Sequence, residues 1–172
     1  MFVLGHVGIG RRLAALVDDR LPVAALVVGT LLPDLIDKPL YYSRMWSYIS
    51  CTRTFGHTGL LLVAIVAIAY WRRSRALKAL ALGVATHLFL DFMGDSVDAW
   101  QNSSTAVALS WPVASTHFTD SYIPSLRDHA LALLNWPTVV GEVVGLGFLA
   151  RGWWTHHRTP SSGEGRPETA AL

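Results

Sequence analysis

The stretch GTLLPDLIDKPLYY, from Gly29 to Tyr42, decides the fold of this chain because it inserts two carboxylates into an apolar run. Asp34 and Asp37 are three residues apart, so a helix that continues through them presents both on one face. A charged side chain at the centre of a bilayer costs roughly 2.5 kcal/mol or more. Either a polar site holds these carboxylates, or they belong to a solvated helix end flanked by Pro33 and Pro39.

The composition favours a membrane protein. Of the 172 residues, 52% are hydrophobic and only 15% are charged, which is too apolar for an ordinary soluble domain. The formal net charge of +2 gives no argument for nucleic acid as a partner. The single cysteine, Cys51, excludes an internal disulfide and a cysteine-based zinc site.

Five apolar stretches predict an all-α fold, an integral membrane bundle of about four to five short helices with a polar site at one end. Most are shorter than the roughly 20 residues that span a bilayer comfortably. We expect a membrane-embedded helical domain over residues 1–154, with a kink or restart at Pro137, and a disordered polar tail over residues 155–172. The stretches are Met1 to Val17, Pro22 to about Ile36, Gly56 to Trp71, Ala76 to Gly94, and His129 to about Trp154.

Basic residues predict the orientation of the bundle in a cell membrane. The segment RRSRALK, Arg72 to Lys78, separates the third and fourth stretches, so the positive-inside rule makes this loop cytoplasmic. In an up-and-down bundle, the histidines and aspartates of successive stretches then meet at the opposite, non-cytoplasmic end. The residues that we expect to converge there are His6, Asp34, Asp37, His57, His87 and Asp91.

These residue types suit a divalent metal ion. His87 and Asp91 form an i, i+4 pair in the segment HLFLD, and imidazole with carboxylate is a normal ligand set for zinc, with manganese or magnesium as alternatives. Each element also has a simpler explanation as a helix cap, an interfacial residue or a structural hydrogen bond. His117 and His129 are ambiguous, and Glu142 is expected to pair either with an arginine or with the site.

The order of these motifs resembles the YdjM-like inner-membrane proteins, which are usually described as metal-dependent hydrolases. A more distant similarity links the pattern to zinc-dependent phospholipase C, a helical fold whose metals are bound by histidine and aspartate. The matching segments are Gly5-His6, Leu31 to Asp37, Arg53 to Gly59, Leu82 to Asp91 and Trp111-Pro112.

The resemblance implies a set of metal ligands and one departure from the family pattern. Asp37 is implied to be a further ligand or a base. The family often has a second histidine five residues after the first, where this chain has Leu62, and an arginine where it has Thr58. This departure makes catalysis less secure than metal binding. The implied ligands are His6, Asp34, His57, His87 and Asp91.

Three functions follow from these observations. The first is a membrane-embedded metal-dependent hydrolase that acts on a phosphoester or a lipid phosphate, with Asp37 or Asp91 as the base that activates water. The second is a non-enzymatic membrane protein in which the His/Asp cluster, with or without metal, braces the bundle. The third is a small transporter that uses embedded Asp and His as a relay. Membrane lipid is the expected partner in each case, and the sequence leaves the oligomeric state open.

Overall fold

The computed structural model describes residues 3–43, 51–98, 104–114, 116–118, 127, 131, 134 and 136–158. Within these ranges every regular element is helical, which confirms the predicted all-α class. The order is α1 (Val3–Val17), α2 (Val23–Tyr42), a 3₁₀ turn (Phe55–His57), α3 (Gly59–Arg72), α4 (Arg75–Asp98), α5 (Ser104–Ser110) and α6 (Trp136–Arg158).

Helix α2 is longer than the sequence predicted. Its end was expected near Ile36, but the helix continues through Pro33 and Pro39 to Tyr42. A proline removes one backbone donor, yet its φ is helical, so a helix supported by tertiary contacts can continue through it. The consequence is that Asp34 and Asp37 lie inside a helix and not at its solvated end.

The last helix begins at Trp136, directly before Pro137, as the predicted restart requires. It continues to Arg158, beyond the boundary expected at residue 154, and residues 159–172 lie outside the described part of the chain. Helix α5 was not predicted, because its seven residues are too few to show a helical period.

Glycines allow two pairs of helices to cross in backbone contact. A Cβ atom on Gly29 of α2 would lie 2.2 Å from the carbonyl oxygen of Leu80 in α4. Likewise, a Cβ atom on Gly145 of α6 would lie 2.3 Å from the carbonyl oxygen of Leu4 in α1. Small residues at helix crossings are typical of membrane proteins, where close approach replaces the hydrophobic driving force.

Helix α4 has the length and composition of a membrane span. Among the described residues, one helix segment, Arg75–Asp95, is long and apolar enough to cross a membrane, and half of its most apolar window is buried inside the protein. Helix α3 is also apolar but shorter, and it exposes large side chains such as Val63 and Val66. A bundle in which all five stretches are embedded therefore stays a prediction.

Different polar groups lie at the two ends of the helices. Arg75 at the start of α4 donates a hydrogen bond to the carbonyl oxygen of Arg20, which places the end of α1 beside the α3–α4 connection. A hydrophobic cluster that contains Ile65, Val84 and Leu88 separates this end from the buried histidines. At the other end, His6 of α1 and His57 of the 3₁₀ turn both lie against His87 of α4.

Candidate metal centre

Asp37 anchors the segment that carries His57. Its carboxylate accepts hydrogen bonds from the Thr54 backbone N–H at 2.6 Å, the Thr54 hydroxyl at 2.8 Å and the Gly56 N–H at 2.7 Å. The fourth contact is the Nδ1 atom of His57, at 2.7 Å. Gly56 is required here because a Cβ atom would lie 2.4 Å from the carbonyl oxygen of Pro33. Both oxygens of Asp37 are therefore engaged, and the 3₁₀ turn is fixed against α2.

His57 and His87 present their Nε2 atoms to each other. The Nδ1 atom of His87 lies 2.7 Å from the carbonyl oxygen of Thr30, an acceptor, so Nδ1 carries the proton. The Nδ1 atom of His57 donates in the same way to Asp37. The two Nε2 atoms are 3.1 Å apart. In the neutral rings both carry lone pairs, which repel each other unless a proton or a metal cation lies between them.

Two carboxylates complete this arrangement. The Oδ2 atom of Asp91 is 3.4 Å from His57 Nε2 and 3.7 Å from His87 Nε2. The Oδ1 atom of Asp34 is 3.9 Å from His57 Nε2. His6 reaches the same place from α1, with its Nε2 atom 3.2 Å from Asp91 Oδ1. Residues from four different elements thus meet at one point.

The arrangement fits a divalent metal ion. His6, His87 and Asp91 form one group of possible ligands, and Asp34, His57 and His87 form a second, each with its donor atoms within 4.8 Å of one another. Ligand bonds to zinc of about 2.0–2.2 Å require donor atoms roughly 3–4 Å apart, which is the spacing seen here. Histidines whose other nitrogen donates to a carboxylate or a carbonyl are the usual ligands of zinc.

Of the six predicted ligands, Asp37 alone is in neither group of possible ligands. Its position behind His57 matches that of a residue that orients a ligand. Leu62, which occupies the position of the family's second histidine, packs against the hydrophobic cluster around Ile65. Both groups form without a contribution from that position.

Arg53 links the centre to α5. Its Nε atom donates to Asp91 Oδ2 at 3.1 Å, and one terminal nitrogen donates to Asp95 at 2.6 Å and to the Ser104 hydroxyl at 2.8 Å. Asp95 also accepts from the backbone N–H and the hydroxyl of Thr105 at the start of α5. Burial disfavours the charged guanidinium, but Asp91 and Asp95 outweigh this effect and raise the pKa of Arg53.

Sequence reasoning assigned no role to Arg53 and ended the fourth apolar stretch at Gly94, directly before Asp95. Asp95 lies on α4, one turn beyond Asp91. The i, i+4 spacing of Asp91 and Asp95 on a helix was the available signal, and it required knowing that α4 continues past Gly94.

Nε2 is the nitrogen of His57 that faces the centre, because its Nδ1 atom donates to Asp37. Protons and a metal ion therefore compete for the same nitrogen.

Asp34 is the most exposed of the possible ligands. Its side chain is 22% exposed and lies 2.6 Å from the Nζ atom of Lys38, whereas the side chains of His57 and His87 are at most 1% exposed. Lys38 and Arg53 are themselves partly exposed. Solvent therefore approaches the centre from the side of Asp34 and Lys38.

Glu142 has a partner outside the centre. Its carboxylate accepts hydrogen bonds from the backbone N–H groups of Leu4 at 3.1 Å and Gly5 at 2.9 Å, so α6 caps the first turn of α1. Neither an arginine nor the centre is needed to explain its position. His117 is exposed, and His129 lies outside the described residues.

The comparison with protein families identifies the chain. A sequence model of the YdjM inner membrane protein family matches residues 1–158, so the chain belongs to this family. The predicted resemblance is confirmed over a longer stretch than the motifs covered, and it makes the chain a membrane protein. No curated protein and no solved structure matches the chain. The similarity to phospholipase C stays a prediction.

Proposed function

We propose that this protein is a membrane-embedded metal-dependent hydrolase that acts on a phosphoester. The observation that carries the proposal is the 3.1 Å separation of the Nε2 atoms of His57 and His87, whose Nδ1 atoms are both occupied by acceptors. Such an arrangement leaves two nitrogen lone pairs, flanked by carboxylates, that only a proton or a cation can satisfy.

The residues that would hold the metal ion are Asp34, His57, His87, Asp91 and His6. Zinc is the first expectation, and manganese or magnesium are the alternatives. When bound, such an ion supplies Lewis acidity, polarising a phosphoryl oxygen and lowering the pKa of water to about 7.

Positioning of the ligands is the role that we propose for Asp37 and Arg53. Asp37 holds the tautomer of His57 whose Nε2 atom faces the centre, and its four donors leave it poorly placed to act as the base. Arg53 fixes Asp91, which also faces His6. Asp34 is the carboxylate that solvent reaches, so Asp34 is the group best placed to take a proton from water.

The positive charge beside Asp34, where solvent reaches the centre, favours a phosphoester as the substrate. Lys38 places an ammonium group beside Asp34, the most accessible ligand, and an ammonium group attracts an anionic substrate. Because the chain is a membrane protein, a lipid phosphate is the substrate class that has direct access to the centre.

The test is turnover by the purified full-length protein in detergent, with zinc, manganese or magnesium. Bis(p-nitrophenyl) phosphate and phosphatidic acid serve as diester and monoester substrates. We expect metal-dependent hydrolysis that falls at least about 100-fold in Asp34→Asn. The matched control is Asp19→Asn, which changes an exposed carboxylate between α1 and α2 and is expected to retain activity.

A metal-loaded protein that hydrolyses neither substrate with any of the three metals would contradict the proposal. It would support the second function, a structural cluster. The observation in favour of that function is that Asp91 already forms an ion pair with Arg53, so its charge can be balanced without a metal. A bracing cluster would stabilise the fold without turnover.

A further inference from the structure

A cavity of about 310 Å³ lies between α1 and α6, away from the metal centre. Its lining residues fall at i, i+3, i+4 and i+7 on each helix, beginning at Gly8 on α1 and at Phe148 on α6. One face of each helix therefore points into the cavity. Three of the lining residues are the arginines Arg11, Arg12 and Arg151.

The cavity is strongly cationic. An arginine side chain stays protonated in proteins, so three positive charges meet there. Among the described residues, no acidic side chain lines the cavity and no ion pair involves Arg11, Arg12 or Arg151. By contrast, Arg53 faces two carboxylates and Arg75 lies 3.8 Å from Asp18. Within the part of the chain that the structure describes, the three guanidinium groups thus lack the carboxylates that neutralise Arg53 and Arg75.

Glycines bring α1 and α6 into close contact beside the cavity. Helices α1 and α6 touch at Gly8, where a Cβ atom would lie 2.1 Å from the carbonyl oxygen of Gly145. One turn later, Arg11 places a terminal nitrogen 3.7 Å from the position that a Cβ atom of Gly152 would occupy. This distance is an ordinary van der Waals contact, so the guanidinium of Arg11 lies directly against α6.

We propose that this cavity binds a phosphate group, and that an anionic phospholipid presents it. Guanidinium groups bind phosphate through two parallel hydrogen bonds, which favours arginine over lysine at such sites. Trp153 and Trp154 follow Gly152 directly and are 62% and 51% exposed, and tryptophan is enriched at the depth of lipid headgroups. The outer face of α6 also exposes Val139, Val140 and Val143, which suits acyl chains.

Native mass spectrometry of the full-length protein in detergent tests this proposal. The probes are phosphatidylglycerol, phosphatidylcholine and inorganic phosphate, each added to delipidated protein. We expect phosphatidylglycerol to be retained at least about fivefold more than phosphatidylcholine. The double variant Arg11→Gln/Arg151→Gln should abolish this preference. The matched control is Arg20→Gln/Arg72→Gln, which removes two exposed arginines outside the cavity and should keep it.

The measurement with inorganic phosphate shows whether the phosphate group comes from a lipid or from a soluble ligand. Binding of inorganic phosphate that displaces phosphatidylglycerol, and that is lost in the cavity variant, supports a phosphate site but assigns it to a soluble ligand. Equal retention of phosphatidylglycerol and of phosphate by the wild type and both variants would overturn the proposal. Gel filtration and metal content verify that each variant is folded, and they separate this result from any failure of the hydrolase proposal.

Discussion

At the scale of single residues, the pair Asp34 and Asp37 shows what a sequence can and cannot establish. Their spacing predicted a shared helical face, and both do lie within α2. Residues 54–57 decide which of the two faces the other possible ligands. They fold back onto α2, and their donors occupy both oxygens of Asp37. No local pattern encodes that contact, so the sequence could not separate a ligand from the residue that orients one.

We expect Asp37→Asn to weaken metal binding about 10- to 100-fold, the usual effect of losing a carboxylate that orients a histidine ligand. The amide also leaves a buried donor of Thr54 or Gly56 poorly paired, which costs about 1–3 kcal/mol of unfolding free energy. Competition with a fluorescent zinc chelator measures the first effect, and thermal unfolding in detergent measures the second.

Asp19→Asn is the matched control for this variant, because Asp19 is exposed in the connection between α1 and α2 and belongs to neither group of possible ligands. Wild-type metal affinity in Asp37→Asn would show that His57 does not depend on Asp37. The positioning role would then be wrong.

We expect Arg53→Gln to destabilise the fold by about 3–5 kcal/mol, because it leaves Asp91 and Asp95 without their shared cation in a largely buried place. The midpoint of chemical unfolding, compared with that of Arg20→Gln, measures this effect. An unchanged midpoint would mean that the link between the centre and α5 contributes nothing to stability.

At the scale of elements, the helices were predicted from apolar runs, and their ends were predicted less well. Hydrophobicity identified the segments that became α1 to α4 and α6. The end of α2 that hydrophobicity predicted is too early. Two aspartates and two prolines resemble a helix end when the contacts of Asp34 and Asp37 are unknown. Hydrophobicity gave no sign of α5, whose first turn is held by Asp95 from another helix.

The crossing of α1 and α6 gives a test at this scale. Gly145→Ala should destabilise the protein by about 1–3 kcal/mol, because its Cβ atom would lie 2.3 Å from the carbonyl oxygen of Leu4 and force the helices apart. Gly147→Ala, two residues away on the same helix, meets nothing within 4 Å and should be neutral or stabilising by up to about 1 kcal/mol. Thermal unfolding of both variants in one detergent makes the comparison, and equal melting temperatures would refute the crossing.

At the scale of the whole molecule, the sequence predicted that the histidines and aspartates of separate segments meet at one end. That followed from an up-and-down arrangement of helices, and the structure brings His6, His57, His87 and Asp91 within contact distance. The partner of Glu142 could not be predicted, because it is the backbone of α1 and so carries no signature in side-chain type.

The basic residues between α3 and α4 predict the orientation in the membrane. We expect the end with Ala76 to be cytoplasmic and the end with Val113 to face outward. Ala76→Cys should react with a membrane-impermeant maleimide only after the cells are permeabilised, whereas Val113→Cys, at a position that is 94% exposed, should react in intact cells. The native Cys51 is buried, so the wild type serves as the unlabelled control. The opposite labelling pattern would invert the topology.

The central claim is that the cluster of histidines and aspartates binds a divalent metal ion. Elemental mass spectrometry of the protein, purified in detergent without chelators and supplemented with metal, tests it most directly. We predict about one or more equivalents of zinc or manganese in the wild type and in the control Asp19→Ala/His117→Ala, which removes an exposed aspartate and an exposed histidine. The metal should be lost in Asp34→Ala/His87→Ala, because Asp34 belongs to one group of possible ligands and His87 belongs to both. No stoichiometric metal in any of these proteins, or equal metal in all of them, would contradict the claim.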